Sequence, residues 1–481
     1  MAVGGQWEGA IRAPTLASVI ARRLEDEIVA RGWPVGEVLG SESELLEYFG
    51  VSRAVFREAV RVVENTGAAR MRRGPGGGLI VTAPSRGGVV TALSVWFSYV
   101  GVTIDEMLEA RLLLLQGACE LACGHPDRKT RAAESLEGVD RLASTDALTP
   151  DTLAGVEGII AGLAANPALT LFVEAIADLG LSRLRSGRAR MVPRVTAGEG
   201  RAWLDGYRNV AEMVGRGDRD AADEQIRILV QTVRQRMTEA RRRRPDAIGA
   251  VDPQAVGAVN GKMAEAVAYG LRDHIEESGW PIGEVLGSET ELIEQFQVSR
   301  AILREAVRIL EHYGAVETKR GPRGGIIVCA PDSAAIVRSA RMFLEFEGVT
   351  PINLSEARAV IEVAATRLAT ARRDAELGNR LTEQLERERQ AGDAAVSFGD
   401  FHHAIAQGTG NQLFPLFVDV MGGLVPRHLR AERQSPGGQA ELSAEVLRTH
   451  ERLARAIIDG DVEQAARRMR RHMVASAEEF A

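Results

Sequence analysis

The chain has 481 residues, 45% hydrophobic, 26% charged and 5% aromatic, a globular composition that excludes predominant disorder and favours helices over a β-sandwich. Its 59 Lys and Arg stand against 66 Asp and Glu, a net charge of 59 − 66 = −7, which taken alone argues against a nucleic-acid partner. Three cysteines cannot close a disulfide framework and point to a reducing, cytoplasmic setting, and the opening MAVGGQWEGAIRAPT lacks the charged and apolar regions of a secretory signal.

Residues 1–14 read as a flexible arm. Thr15 to about Arg31 is predicted as an amphipathic helix with Leu16, Val19, Ile20, Leu24 and Ile28 on one face. GWPVGEVL then turns the chain. Ser41 caps a short helix, and Glu44 three residues on completes a capping box; the helix carries Leu45, Leu46 and Phe49 and stops at Gly50. Ser52 caps a third helix to about Asn65, with Val55, Phe56, Ala59, Val60 and Val63 as its apolar positions, and Gly67 ends it. AARMRRGPGGGLIVTA follows, two β-prone runs around a glycine-rich tip. Helix, turn, helix and hairpin is the winged helix-turn-helix plan, whose second motif helix enters the major groove. The GPGGG run is no phosphate loop, because no Lys-Ser/Thr leads from it into a helix.

Charge placement agrees. Arg53, Arg57 and Arg61 recur every four residues, and Arg70, Arg72 and Arg73 lead into the wing. From Ser52 to Arg73, six arginines against Glu58 and Glu64 make a local +4.

Beyond this head, the 18 uncharged residues from Gly87 to Ile104 touch the length of a membrane span. An internal repeat removes that reading. Residues 32–85 recur as residues 279–332 at a constant offset of 247, with 35 of 54 positions identical. The offset persists where GVTIDEMLEAR ends at Arg111 and GVTPINLSEAR at Arg358. In the second copy, the counterpart of the uncharged stretch carries Arg338, Arg341, Glu345 and Glu347, so the element is a soluble helix, covered in the first copy by the other half of the chain. A period of 247 is too long for a solenoid. The chain therefore reads as a two-domain unit written twice: a head over 15–85, a helical domain over 86–240, a solvated linker over 241–256 with the Arg241–Arg244 run, a second head over 257–332 and a second helical domain over 333–481. The second head has Arg300, Arg304, Arg308, Lys319, Arg320 and Arg323 against Glu305, Glu311 and Glu317, a local +3. An acidic chain thus carries two basic faces, and both copies keep these arginines while their neighbours change.

VSRAVFREAVRVVENTGAARMRRGPGGGLIV resembles the DNA-binding head of GntR-type transcription regulators, and the second head shares the pattern. The resemblance implies that Ser52, Arg53, Arg57 and Arg61, with Ser299, Arg300, Arg304 and Arg308, face DNA, and that Arg53, Arg57, Arg300 and Arg304 read bases. It implies that Gly76, Gly77, Gly324 and Gly325 form wing tips entering the minor groove. Arg72, Arg73, Lys319 and Arg320 suit phosphate, adding affinity without sequence choice. One departure stands out: the arginine that the family carries after Ser-Glu in the second helix is here Ser43 and Thr290, so one DNA contact is missing.

The helical regions, about 92–236 and 340–481, resemble the FCD ligand domain of FadR-type members. In the second copy Arg358 and Glu362, then Phe401, His402 and Asn411, then His450 and His472 carry the likeness. It implies one divalent metal, Zn²⁺ or similar, on His402, His450 and His472. It also implies effector binding at Arg358 and Asn411, with a small carboxylate as the effector class. The family's fourth ligand, an aspartate, is here Phe398, and Asp400 points to another helix face. In the first copy the equivalents are Glu157, Tyr207 and Leu229, so that lobe has no triad, although Asn166 matches Asn411. Cys119 and Cys123 read as packing and Cys329 as incidental.

The expectation is a mainly α chain with two winged helix-turn-helix heads, each followed by an all-helical FCD-like bundle. As implied by the family, it is a ligand-relieved repressor on a palindromic double-stranded operator, with no membrane partner and no enzymatic activity. The chain would be a pseudo-dimer in itself, and chains could pair further. The alternatives are a constitutive DNA-binding protein without effector and a metal-dependent hydrolase; against the latter, no carboxylate sits at a general-base spacing.

Overall fold

The computed structural model describes residues 15–74, 76–144, 150–185, 197–242, 260–319, 325–391, 400–428 and 436–478. The arm 1–14, linker residues 243–256, Arg320, Gly324 and Phe398 lie outside these.

The first head begins with α1 (Leu16–Ala30), capped by Thr15, whose side chain accepts from the Ser18 amide. Its buried stripe is Ala17, Ile20, Ala21, Leu24 and Ile28. Leu16 and Val19, expected inward, are 57% and 37% exposed. After β1 (Val38–Gly40) come α2 (Glu42–Phe49) and α3 (Arg53–Asn65), then β2 (Ala69–Arg72) and β3 (Gly78–Val81). The capping box on α2 is complete: Ser41 Oγ accepts from Glu44 N at 3.2 Å, and the Glu44 carboxylate accepts from Ser41 N at 2.8 Å. Gly50 closes α2 at φ +61°.

The wing is a three-stranded antiparallel sheet in the order β1-β3-β2, not the two-stranded hairpin of the sequence reading. Three residues are too few to show a strand period, so Val38–Gly40 reads as turn until its partner β3 is in place. Gly78, at φ +155°, is required there, since a Cβ would lie 2.4 Å from the Gly40 carbonyl oxygen. The second head repeats the plan with α11 (Asn260–Glu277), β4 (Val285–Gly287), α12 (Glu289–Phe296), α13 (Arg300–His312), β5 (Val316–Lys319) and β6 (Gly325–Val328). Trp33 Nε1 donates to Thr82 O and Trp280 Nε1 to Cys329 O, each at 2.8 Å, pinning the turn to the sheet in both heads.

Each head leads into a connecting helix, α4 (Arg86–Tyr99) or α14 (Ser333–Phe346). The first helical lobe then holds α5 (Ile104–Gly124), α6 (Arg128–Ala143), α7 (Pro150–Gly162), α8 (Pro167–Arg185), α9 (Ala197–Arg216) and α10 (Arg219–Arg242). The second holds α15 (Pro351–Arg372), α16 (Leu377–Ala391), α17 (Asp400–Gly408), α18 (Leu413–Gly422), α19 (Val425–His428), α20 (Pro436–Ile458) and α21 (Val462–Glu478).

One continuous hydrophobic core runs through both lobes. At their seam, corresponding residues meet. Phe172 of α8 stacks on Phe417 of α18, centroids 4.2 Å apart and planes 27° apart. Asn166 Nδ2 donates to Asn353 O at 2.8 Å and Glu356 Oε2 at 3.2 Å. Reciprocally, Asn411 Nδ2 donates to Glu106 O and Glu109 Oε2, both at 2.9 Å. These are the self-complementary contacts of a two-fold interface, made within one chain.

The heads dock crosswise. Trp33 of the first head packs edge-on against Phe346 of α14 at 5.4 Å, and Met342 of α14 belongs to that head's core. Trp280 of the second head packs against Tyr99 of α4 at 5.4 Å, and Val95 of α4 belongs to the second core. The uncharged stretch of α4 after Arg86 therefore packs on the other half through Val95 and Tyr99, as its sequence led one to expect. Among the described residues no helix is long and apolar enough to cross a membrane.

Candidate nucleic-acid interface and metal centre

Ser52 and Ser299 cap α3 and α13, their hydroxyls accepting from the amides of Val55 and Ile302 at 3.4 Å. The arginines that follow stand in solvent: Arg53 and Arg57 are each 66% exposed and Arg61 74%. Arg53 and Arg57 converge on one carboxylate, Glu42 at the start of α2, at 3.4 and 3.3 Å. Arg300 and Arg304 converge on Glu289 at 3.7 and 2.7 Å. Arg61 and Arg308 instead bond Glu58 and Glu305 on their own helices. Exposed pairs of this kind contribute about 0–1 kcal/mol, so the guanidinium groups are held in place yet free to leave for a stronger acceptor. The sequence reading missed Glu42 and Glu289; their position one residue after a cap was the available signal.

The wing is fixed to the same helix. Glu64 at the end of α3 accepts from Met71 N at 2.9 Å, and Glu311 accepts from Thr318 N at 2.8 Å. Arg72 donates to Gly76 O at 2.8 Å and so braces the tip, where Gly76 is exposed with φ +67° and Gly77 is half-buried. Arg73 is exposed, and Lys319 pairs with Glu317 at 3.0 Å. Gly325, expected at the second wing tip, instead opens β6 at φ +156° and takes the place that Gly78 holds in the first head. The residue corresponding to Gly77 is Gly324, outside the described residues.

In the second lobe α17, α20 and α21 bring His402, His450 and His472 together, all buried. His402 Nε2 lies 3.2 Å from His450 Nε2 and 3.3 Å from His472 Nε2. The opposite ring nitrogens of two of them meet carboxylates: Glu388 bonds His450 Nδ1 at 3.0 Å, and Glu362 lies against His402 Nδ1. Burial pushes His450 and His472 below the usual histidine range, which keeps their rings neutral near pH 7. Burial alone would raise Glu362, but Arg358 and His402 hold it down to about 2. Three converging imidazoles backed by carboxylates are a donor set that fits a divalent cation. Sequence reasoning assembled the triad but not Glu388, whose helix lies in a stretch without a motif.

Arg358 is buried in α15 with its Nε 2.7 Å from Glu362 Oε1. Asn411 does not join it. Its amide donates to Glu106 and Glu109 across the seam, and its Oδ1 accepts from Leu413 N, which places the side chain at the contact between the lobes. Asp400 is exposed at the start of α17.

The first lobe fills the equivalent space differently. Glu157 forms a buried ion pair with Arg111 and accepts from Tyr207 Oη at 2.8 Å, while Leu229 is 4% exposed. Arg111 occupies the position of Arg358, but its carboxylate partner now comes from the position of His402. Among the described residues the second-lobe histidines are the one metal-competent group. Cys119 is buried, and burial pushes its thiol up to about 12, in keeping with packing.

Two arginine-faced helices beside small wings, mounted on a helical body, give each head the winged helix-turn-helix arrangement. Residues 16–78 and 263–328 match the family described as bacterial regulatory proteins, gntR family, and residues 353–475 match the FCD domain. Both heads therefore resemble the gntR family and the second lobe resembles the FCD domain, each match spanning about a quarter of the chain. It is similar to the Uxu operon regulator of Haemophilus influenzae, 32% identical over 147 residues, which are 30% of this chain and 53% of that protein. The match therefore spans about half of that relative's length. The HTH-type transcriptional repressor NanR of Cronobacter sakazakii is 28% identical over 221 residues, 44% of this chain and 83% of that protein. Among solved structures, Streptococcus agalactiae GntR aligns with a TM-score of 0.33 at 22% identity, covering 45% of this chain and 99% of that one.

Proposed function

We propose that this chain is a ligand-responsive repressor whose two heads read the two half-sites of one palindromic operator, with a single effector and cation site in the second lobe. The observation that carries the reading is the repeated arrangement of Glu42 with Arg53 and Arg57, and of Glu289 with Arg300 and Arg304, on exposed helices beside a wing. A guanidinium fork can bond guanine O6 and N7 together. Placing both readers on one polypeptide makes the second contact intramolecular. Selection from genomic fragments at ionic strength near 0.15 M, where non-specific phosphate binding is weakened, should enrich one palindromic sequence over random competitor. Equal binding to all duplexes would remove the proposal.

In the second lobe, a cation would be held by His402, His450 and His472, and it would supply an open position for an oxygen donor of the effector. Arg358, held by Glu362 at 2.7 Å, would donate to a carboxylate ligand through guanidinium N–H groups that this pair leaves over. Binding would bias the angle or spacing of the heads, a population shift between operator-fitting and non-fitting states. The relative NanR is named as a repressor, which supports that sign of regulation. Elemental analysis of the purified chain should find at most one tightly held ion, lost in His450→Ala; two ions would contradict a single site.

A further inference from the structure

We propose that Glu388 is the positioning residue that makes the three-histidine centre able to hold a cation, supplying from behind the ligands the negative charge that the ligands lack. This rests on the metal reading above. The three ligands are neutral imidazoles, so a divalent ion among them would sit buried with its full charge uncompensated, at high cost. Two carboxylates adjoin the centre. Glu362 is shared with Arg358 at 2.7 Å, which cancels its charge. Glu388 places both oxygens 3.0 Å from His450 Nδ1, and His450 is its one ion-pair partner among the described residues. With Nδ1–H donating to Glu388, the His450 lone pair is fixed on Nε2, the nitrogen that faces His402. Phe401 stacks on the same ring, centroids 4.1 Å and planes 10° apart, so the imidazole cannot turn. The next residue of each helix adds a second tie: Arg389 of α16 bonds Glu451 of α20 at 2.7 Å.

The test is a Zn²⁺ titration against a chromophoric chelator, with Co²⁺ absorption as a second readout. Glu388→Gln keeps size and hydrogen bonding but removes the charge; it should lower Zn²⁺ affinity about 10–100-fold and weaken the Co²⁺ ligand-field bands, with the metal-free melting curve unchanged. Unaltered affinity in Glu388→Gln, beside loss in His450→Ala, would overturn the role of Glu388. A parent chain that binds no Zn²⁺ would overturn the metal reading itself and this inference with it.

A second, independent observation concerns the crossed heads. Resting on the same metal reading, we infer that the second lobe is read out through the first head, not through the head that precedes it in the chain. His402 and His403 are neighbours on α17. His403 Nδ1 lies 2.7 Å from Asp419 Oδ1 on α18, and Arg341 of α14 donates to the carbonyls of Asp419 and Val420 at the end of that helix. On α14, Met342 and Phe346 then carry the first head, and Ser339 Oγ donates to Asn65 O at 3.4 Å. The second head is instead built onto the first lobe: Arg272 donates to Ser94 at 2.9 Å and Tyr269 to Asp178 at 2.6 Å.

Hydrogen–deuterium exchange of the full chain decides between packing and covalent connection as the route. Saturating Zn²⁺ should change exchange in residues 16–30 and 53–65 and leave 260–277 and 300–312 unaltered. His402→Ala, which disturbs the same pocket without metal, should act on the same segments. Changes confined to the second head, or equal in both heads, would overturn the inference.

Discussion

Replacing Arg53 and Arg57 together with alanine should lower affinity for the half-site read by the first head by about 2–6 kcal/mol, since each bidentate arginine–guanine contact contributes about 1–3 kcal/mol. The other half-site should keep its affinity, and Arg300→Ala with Arg304→Ala should show the mirror result. Neither change threatens the fold: all four side chains are more than 60% exposed and, among the described residues, pair with Glu42 or Glu289 at the surface. Fluorescence anisotropy on duplexes with one half-site scrambled at a time would measure this. Because the heads share a chain, loss of one leaves the intact operator bound through the other, with the avidity gone. If both double variants bind as the parent does, α3 and α13 are not the reading helices.

Arg111→Ala should destabilise the chain by about 3–5 kcal/mol, the effect of leaving a buried partner charge uncompensated. Glu157 is 3% exposed and has Arg111 as its counter-charge, with Tyr207 as its hydrogen-bond donor. The lobes share one core, so the loss should appear as a shift of the main unfolding transition in urea. Arg111→Met with Glu157→Leu should recover most of it, since apolar replacement of both members of a buried pair is often neutral or better. A single substitution costing under about 1 kcal/mol would show that the pair is not what seals the first lobe.

The arginines of the heads and the buried Arg111–Glu157 pair are legible in the sequence to different degrees. The heads were readable because their signals are local. The Ser41–Glu44 box, its repeat at Ser288–Glu291 and the caps Ser52 and Ser299 each span three residues, and the structure forms all of them. The internal repeat added a control, since arginines retained at an offset of 247 mark a surface held in common. The histidine triad was readable only through resemblance, because its members lie 48 and 22 residues apart and share no local pattern.

From the sequence alone came the three helices and wing hairpin of each head, their caps, the basic helix faces and which lobe keeps its histidines. Tertiary structure alone decided the third strand of each wing, the crossed docking of the heads, the turning of Asn411 to the seam, and the pairing of Arg111 with Glu157 and of Glu388 with His450. The division has a physical cause. Caps and turns satisfy backbone groups within a few residues, whereas a buried charge or an apolar helix face takes whatever partner packing delivers, from any distance along the chain.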